Sequence, residues 1–181
     1  KRRVLLPGMA AIMAAFILLV PLNKLNDDFV QYFDETVPFR QATDYMRDNL
    51  SGMTTMEIAI ETNESSGIND PGVLKTVGDL TDWLRAQPET DHVNSISDTL
   101  KRLNKNMHGD DQSFYTLPTD RELSAQYLLM YELSLPYGLD LNNQLNVDKS
   151  STRLITTFQN LTSTEQIELE ERIYNWVAEN A

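Results

Sequence analysis
Few side chains in this 181-residue chain could do covalent chemistry. Cysteine is absent, which removes a disulfide framework, a thiolate zinc site and a Cys nucleophile together. The two histidines, His92 and His108, are too few for a multi-His metal site. The seven glycines are scattered, and neither a G-x-G-x-x-G loop, a G-K-[ST] loop nor a G-x-S-x-G elbow occurs. A Ser-His-Asp triad depends on folding rather than on spacing, and 11 serines with two histidines single out no assignment. Asp27, Asp28, Asp34 and Glu35 could bind a cation or guide protons, but such clusters are usually hydrated and read as a solvated collar. Asp110-Asp111 lacks the further spaced ligands of a calcium loop. The expectation is a protein that is not an enzyme and carries no cofactor or metal.

Two groups point to recognition instead. Lys101, Arg102 and Lys105 form a basic helix face suited to an anionic head group or an acidic partner surface, with pairing to carboxylates of the same domain as the competing reading. Met107, Phe114, Tyr115, Tyr127, Met130, Tyr131 and Tyr137 could line an amphiphile path, since methionine and aromatic rings adapt to greasy ligands. Core packing is the commoner use of such residues. The sequons at Asn49, Asn63 and Asn160 are near chance number and carry nothing.

The elements that would position these residues follow from charge and hydropathy. With 41% hydrophobic residues the chain can bury a core, and its net charge of −12 argues against nucleic-acid binding. Four of the 15 basic residues precede Asn26, so 11 basic residues stand against 27 acidic ones from there on. Val4 to Leu22 (VLLPGMAAIMAAFILLVPL) is free of charge and follows Lys1, Arg2 and Arg3. At about 1.5 Å per residue it spans close to a ~30 Å bilayer core, basic end inside and acidic body outside. A signal peptide is the rival reading, but no small-residue cleavage site follows. A buried core helix would rarely run so far without a polar residue. Residues 1–25 therefore read as a transmembrane helix. Residues 26–53 read as a membrane-proximal connector, with Phe29, Tyr32 and Phe33 in the interfacial belt and a helix whose apolar stripe is Phe39, Ala42, Met46 and Leu50. Gly52 is the candidate C-cap.

Residues 54–181 read as an α+β body. Thr54–Glu61 alternates as a strand, 71–87 is helical with Val73, Leu74, Val77, Leu80 and Leu84 inward, and His92–Ser97 is a short strand. This β-α-β unit should join parallel strands. A helical insert occupies about 98–149: one helix capped by Asp98, a second over 121–135 that is apolar nearly all round, and an Asn-rich loop from Leu139. A third strand (151–159) and a long helix (163–180) follow. The order fits a split β-α-β sandwich of the ferredoxin type with its last strand missing.

A basic end, a membrane helix, an aromatic-acidic exit (DDFVQYFDETVPFR) and a split β-α-β body together resemble one half of an RND-superfamily exporter. The likeness is to the MMPL-like, hydrophobe/amphiphile-efflux-3 type, which includes hopanoid-associated exporters. Thr99 to His108 (TLKRLNKNMH), Glu132 to Lys149 (ELSLPYGLDLNNQLNVDK) and the strand Ser151 to Asn160 carry it, over essentially the whole chain and without a short signature. The resemblance implies a proton-driven pump of the bacterial inner membrane, with this porter domain in the periplasm and the N-terminus cytoplasmic. Its partners would be the remainder of the same transporter chain, a lipid or amphiphile, and the membrane; homo-oligomers occur in part of the superfamily and stay open here. Proton-relay carboxylates belong to later membrane helices in that family, and Val4 to Leu22 offers none. The alternative is a single-pass anchored extracytoplasmic sensor or ligand-binding module.

Overall fold
The computed structural model describes residues 2–20, 29–50, 52–136 and 140–180. Helix α1 (Arg2–Leu19) opens on two arginines and continues without charge. Its described side chains from Leu5 onward are exposed, Leu18 at 76%. Among the described residues no helix is long and apolar enough to cross a membrane. Of the expected Val4–Leu22 span, Pro21 and Leu22 lie outside the described residues, as do Asp27 and Asp28 of the acidic collar.

Helix α2 (Pro38–Asn49) starts with proline at its first turn, where a missing N–H is harmless. The predicted stripe is present but uncovered: Phe39, Met46 and Leu50 are exposed, and Thr43 is the buried residue. Phe39 instead meets Phe33 edge-on at 5.3 Å. Gly52 is not the helix cap, because α2 ends at Asn49 with Leu50 as its cap. Glycine is required there for another reason. A Cβ at position 52 would lie 1.8 Å from the Phe158 carbonyl oxygen, and the Gly52 N–H donates to Asp91 Oδ2 at 2.6 Å.

The body is α+β. Strand β1 (Thr54–Glu61) alternates half-buried and exposed along its whole length, as its sequence does. Helix α3 (Pro71–Arg85) is N-capped by Asp70, whose Oδ1 accepts from Gly72 N at 2.8 Å and Val73 N at 3.3 Å. Strand β2 (Thr90–Asn94) lies earlier than the predicted 92–97. The reason is local: Ser95 leaves the sheet and caps helix α4 (Ile96–Met107) through its bond from Ser97 N, so Ile96 begins that helix, fully buried. Asp98, predicted as the cap, sits in the first turn and pairs with Arg85.

Helix α5 (Arg121–Ser134), strand β3 (Ser151–Phe158) and helix α6 (Ser163–Asn180) complete the order. The sheet runs β1-β3-β2, and β3 is antiparallel to both neighbours. β1 and β2 are thus parallel, as predicted, but β3 stands between them. Alternation on β3 puts Thr152, Leu154, Thr156 and Phe158 into the interior. They join Leu74, Val77, Leu80 and Leu84 of α3, Ile96 and Leu100 of α4, Leu128 of α5, and Leu169 and Ile173 of α6 in one core. Trp83 of α3 meets Trp176 of α6 at 6.0 Å. The opposite sheet face carries Glu57, Arg153 and His92 and is open. α6 begins with a reciprocal capping box between Thr162 and Glu165.

The Asn-rich segment is not a free loop. Leu141 and Leu145 are buried, and Leu145 bridges Thr152 where β2 no longer accompanies β3. Arg153 N donates to Gln144 O at 2.9 Å, and the Arg153 side chain donates to Asn143 O. Two buried leucines and these hydrogen bonds together hold the polar stretch against the sheet.

Two substitutions test this frame by urea unfolding. Leu154→Ala, at a fully buried site on the central strand, should cost roughly 2–5 kcal/mol. Gly52→Ala should destabilise measurably despite adding one methyl, because the group it meets is backbone. An unchanged midpoint for either would mean that β3 is not packed as described.

Candidate functional site
The described ones among the predicted recognition residues lie on α4, α5 and the segment between them, and the structure divides them. Tyr127 is interior, and its hydroxyl donates to Asn104 Oδ1 at 3.2 Å. The Asn104 amide in turn donates to Thr116 O at 3.0 Å, so one buried side chain ties α5 to the 108–118 segment. Tyr131 is half-buried and packs on the core. Met107 and Met130 are exposed, together with Leu129 and Leu133 on α5. Hence α5, predicted to be covered on most sides, is covered on one: Ser124, Tyr127 and Leu128 are its buried residues. Phe114 stacks on His108 at 3.8 Å, with the rings 5° from parallel. His108 Nδ1 lies 2.8 Å from Asn104 O. Tyr137 lies outside the described residues. Sequence reasoning placed all seven on one path; the fold sends one inward, packs one on the core and leaves the other described ones at the surface.

Tyr115 lines a cavity of about 320 Å³ between the end of α3, β2 and the start of α4. Arg85, His92, Asn94, Asp98, Thr99 and Arg102 share that wall. Arg85 donates to Asp98 through both terminal nitrogens, Nη1 at 3.2 Å, and to Val93 O at 2.9 Å. The hydrogen bonds it donates to Asp98 raise the Arg85 guanidinium further above its ordinary value. The three cations of the predicted basic face separate. Lys101 reaches Asp82 at 3.8 Å, Arg102 faces the cavity, and Lys105 stays half-buried along α4.

A second cavity, of about 470 Å³, lies where α2 meets the sheet, among Arg47, Asp48, Asn49, Gly52, Asp91 and Gln159. No predicted recognition residue lines it. Among the described residues, no group of three or more His, Cys, Asp or Glu is placed to hold a metal ion. Asp34 and Asp111 serve their own turns, bonding Thr36 and Ser113.

No family model and no curated protein matches the chain. The cavity beside Tyr115 was not visible as a site in the sequence. Its signals were Ser95, three residues before Asp98 in a capping spacing, and Arg85, whose partner lies thirteen residues on.

Two measurements follow. Tyr127→Phe should lower stability by about 1 kcal/mol through the lost bond to Asn104, without unfolding the chain. An effect near zero would mean that the Tyr127–Asn104 bond does not help hold α5 against α4. Three carboxyls are held below their ordinary value: Asp34 by the Thr36 hydroxyl and amide, Asp111 by the Ser113 amide and hydroxyl, and Asp120 chiefly by the Leu123 amide. A depressed folded pKa gives stability that is present above the unfolded pKa of about 4 and lost as pH falls through the folded value. The urea midpoint should therefore drop on acidification below about pH 4, and less steeply in Asp111→Asn. An identical acid limb in the variant would remove Asp111 from that account.

Proposed function
We propose that this chain is a porter segment of an RND-type exporter of the MMPL-like class, a ferredoxin-like body carried on an N-terminal membrane helix. In this reading it moves lipids or other amphiphiles on the outer side of a bacterial inner membrane. The observation that carries it is the sheet order. β3 separates two parallel strands joined through α3, which is the split β-α-β arrangement the resemblance implies. The exposed apolar side chains along α1 and the uncovered stripe of α2 support the membrane part of the reading. So does the run of Leu129, Met130 and Leu133 on α5, adaptable apolar surface of the kind a greasy ligand would use.

Transport would then follow from alternation between conformers with different affinity for the amphiphile, driven from elsewhere in the transporter chain. No carboxylate lies among the uncharged residues of α1, so this segment supplies binding surface and not the proton path.

The first test is biochemical fractionation. The chain expressed in bacteria should pellet with the inner membrane and resist alkaline carbonate, and Ile12→Arg with Phe16→Arg should release it. Recovery of the unaltered chain in the soluble fraction would end the membrane reading. In cells carrying the intact gene, Phe114→Ala and Met130→Ala should change export of some amphiphiles several-fold and leave others untouched. Unchanged export of every compound tried would remove α5 and its neighbours from the path.

A further inference from the structure
The cavity beside Tyr115 has a chemistry that neither the fold nor the exporter reading requires. Its floor is the Arg85–Asp98 pair, neutral as a unit and fixed by the bond from Arg85 to Val93 O. On the same wall stands Arg102, which forms no ion pair with a carboxylate among the described residues, in a chain with 27 acidic residues against 15 basic ones. Arg47, Arg85, Arg121, Arg153 and Arg172 all have acidic partners. The same wall carries the Thr99 and Tyr115 hydroxyls, the His92 ring and the Asn94 amide, with Tyr115 close enough to Arg85 to act on its charge. The amides that open α4 are already used, Ser97 N by Ser95 Oγ and Asp98 N by Ser95 O, so the free donors are side chains.

From this geometry we infer a binding site for a phosphate group. One guanidinium fork suits any oxyanion, carboxylate or phosphate. A carboxylate offers two oxygens, which the fork alone would satisfy. The further donors around Arg102 suit a tetrahedral group with more oxygens to occupy. Arg102 is the one cation on the wall not neutralised by a neighbour, so the cavity carries net positive charge inside an acidic body. About 320 Å³ admits free phosphate, a small phosphomonoester or the phosphate of a lipid head group. The site stands on these residues alone and does not depend on the exporter reading.

The test uses inorganic phosphate titrated into the whole chain and followed by amide NMR. Saturable shifts should appear at Ser95 to Arg102 and at Tyr115. Arg102→Gln should weaken binding at least tenfold, while Lys105→Gln, on the same helix but off the cavity wall, should stay within twofold. Circular dichroism should show that both variants fold, since Arg102 is exposed and forms no ion pair among the described residues. A second arm compares phosphatidylglycerol with phosphatidylcholine vesicles. A phosphatidylglycerol preference that disappears in Arg102→Gln assigns the phosphate to a lipid head group. Phosphate binding with no such preference assigns it to a free phosphate or phosphomonoester. If Arg102→Gln alters neither arm, or if Lys105→Gln weakens phosphate binding as much, the site is overturned.

Discussion
Everything ordered in the body hangs on β3. It is the strand with partners on both sides, and its even positions carry the sheet's contribution to the core. A shift of one residue would turn Leu154 and Phe158 to the open face and bring Arg153 and Ile155 into the interior, so burial fixes the register. The neighbours then fall into place through specific bonds at its ends. Gln159 N donates to Glu89 O beside β2, Gly52 approaches Phe158 beside β1, and Leu145 bridges Thr152 at the other end. Because β1 and β2 never pair with each other, the β1-α3-β2 unit depends on a strand that arrives over fifty residues later. Folding must close that long loop before the sheet gains cohesion, which makes β3 pairing the natural late step.

Above the sheet, polar groups do the positioning that apolar packing leaves undone. Asn104 sits at the centre, bonded to Tyr127 on one side and Thr116 on the other. Burying an amide is costly unless its groups are paired, and here both its oxygen and its nitrogen are used. The 108–118 segment is thereby laid along α4, where Phe114 covers His108 and Tyr115 reaches the cavity of Arg102. The placement of Tyr115 is thus a consequence of a residue eleven positions earlier on a different element.

Elements defined by period were legible before the fold was known. β1 has the bounds its alternation indicated, α3 buries the five apolar positions of its stripe wholly or in part, and α6 spans the predicted 163–180. What local pattern could not show was which faces would find partners. α2 has as clean a stripe as α3, but α3 lays its stripe on the core whereas Phe39 and Met46 of α2 stay exposed. The same limit applies to Tyr127 and Tyr131, four residues apart on one helix, of which one is sealed inside and one half-exposed. Short-range competition accounts for the β2 boundary: Ser95 could extend a strand or cap a helix, and the cap won because Ile96 and Leu100 had a core to enter. The cavity is the least legible feature, since Arg85, Asp98, Arg102 and Tyr115 come together only after three elements pack.

The distribution of charge separates what stabilises from what is left available. Most basic side chains of the body are consumed by acids nearby: Arg40 and Arg47 by Asp44, Lys75 by Asp79, Lys149 by Glu132, Arg172 by Glu89. Such surface pairs add little stability individually, but each removes a cation from the pool that could meet an outside anion. With acids in excess by twelve overall, a cation that escapes pairing has done so against the local odds. Arg102 escapes because Asp98, the nearest carboxylate on its own helix, is taken by Arg85 from α3. That bond does two things at once. It joins the end of α3 to the start of α4, and it removes the one acid that would otherwise have neutralised the cavity. The ion pair that closes the packing of these helices is thus also what leaves a guanidinium free beside them.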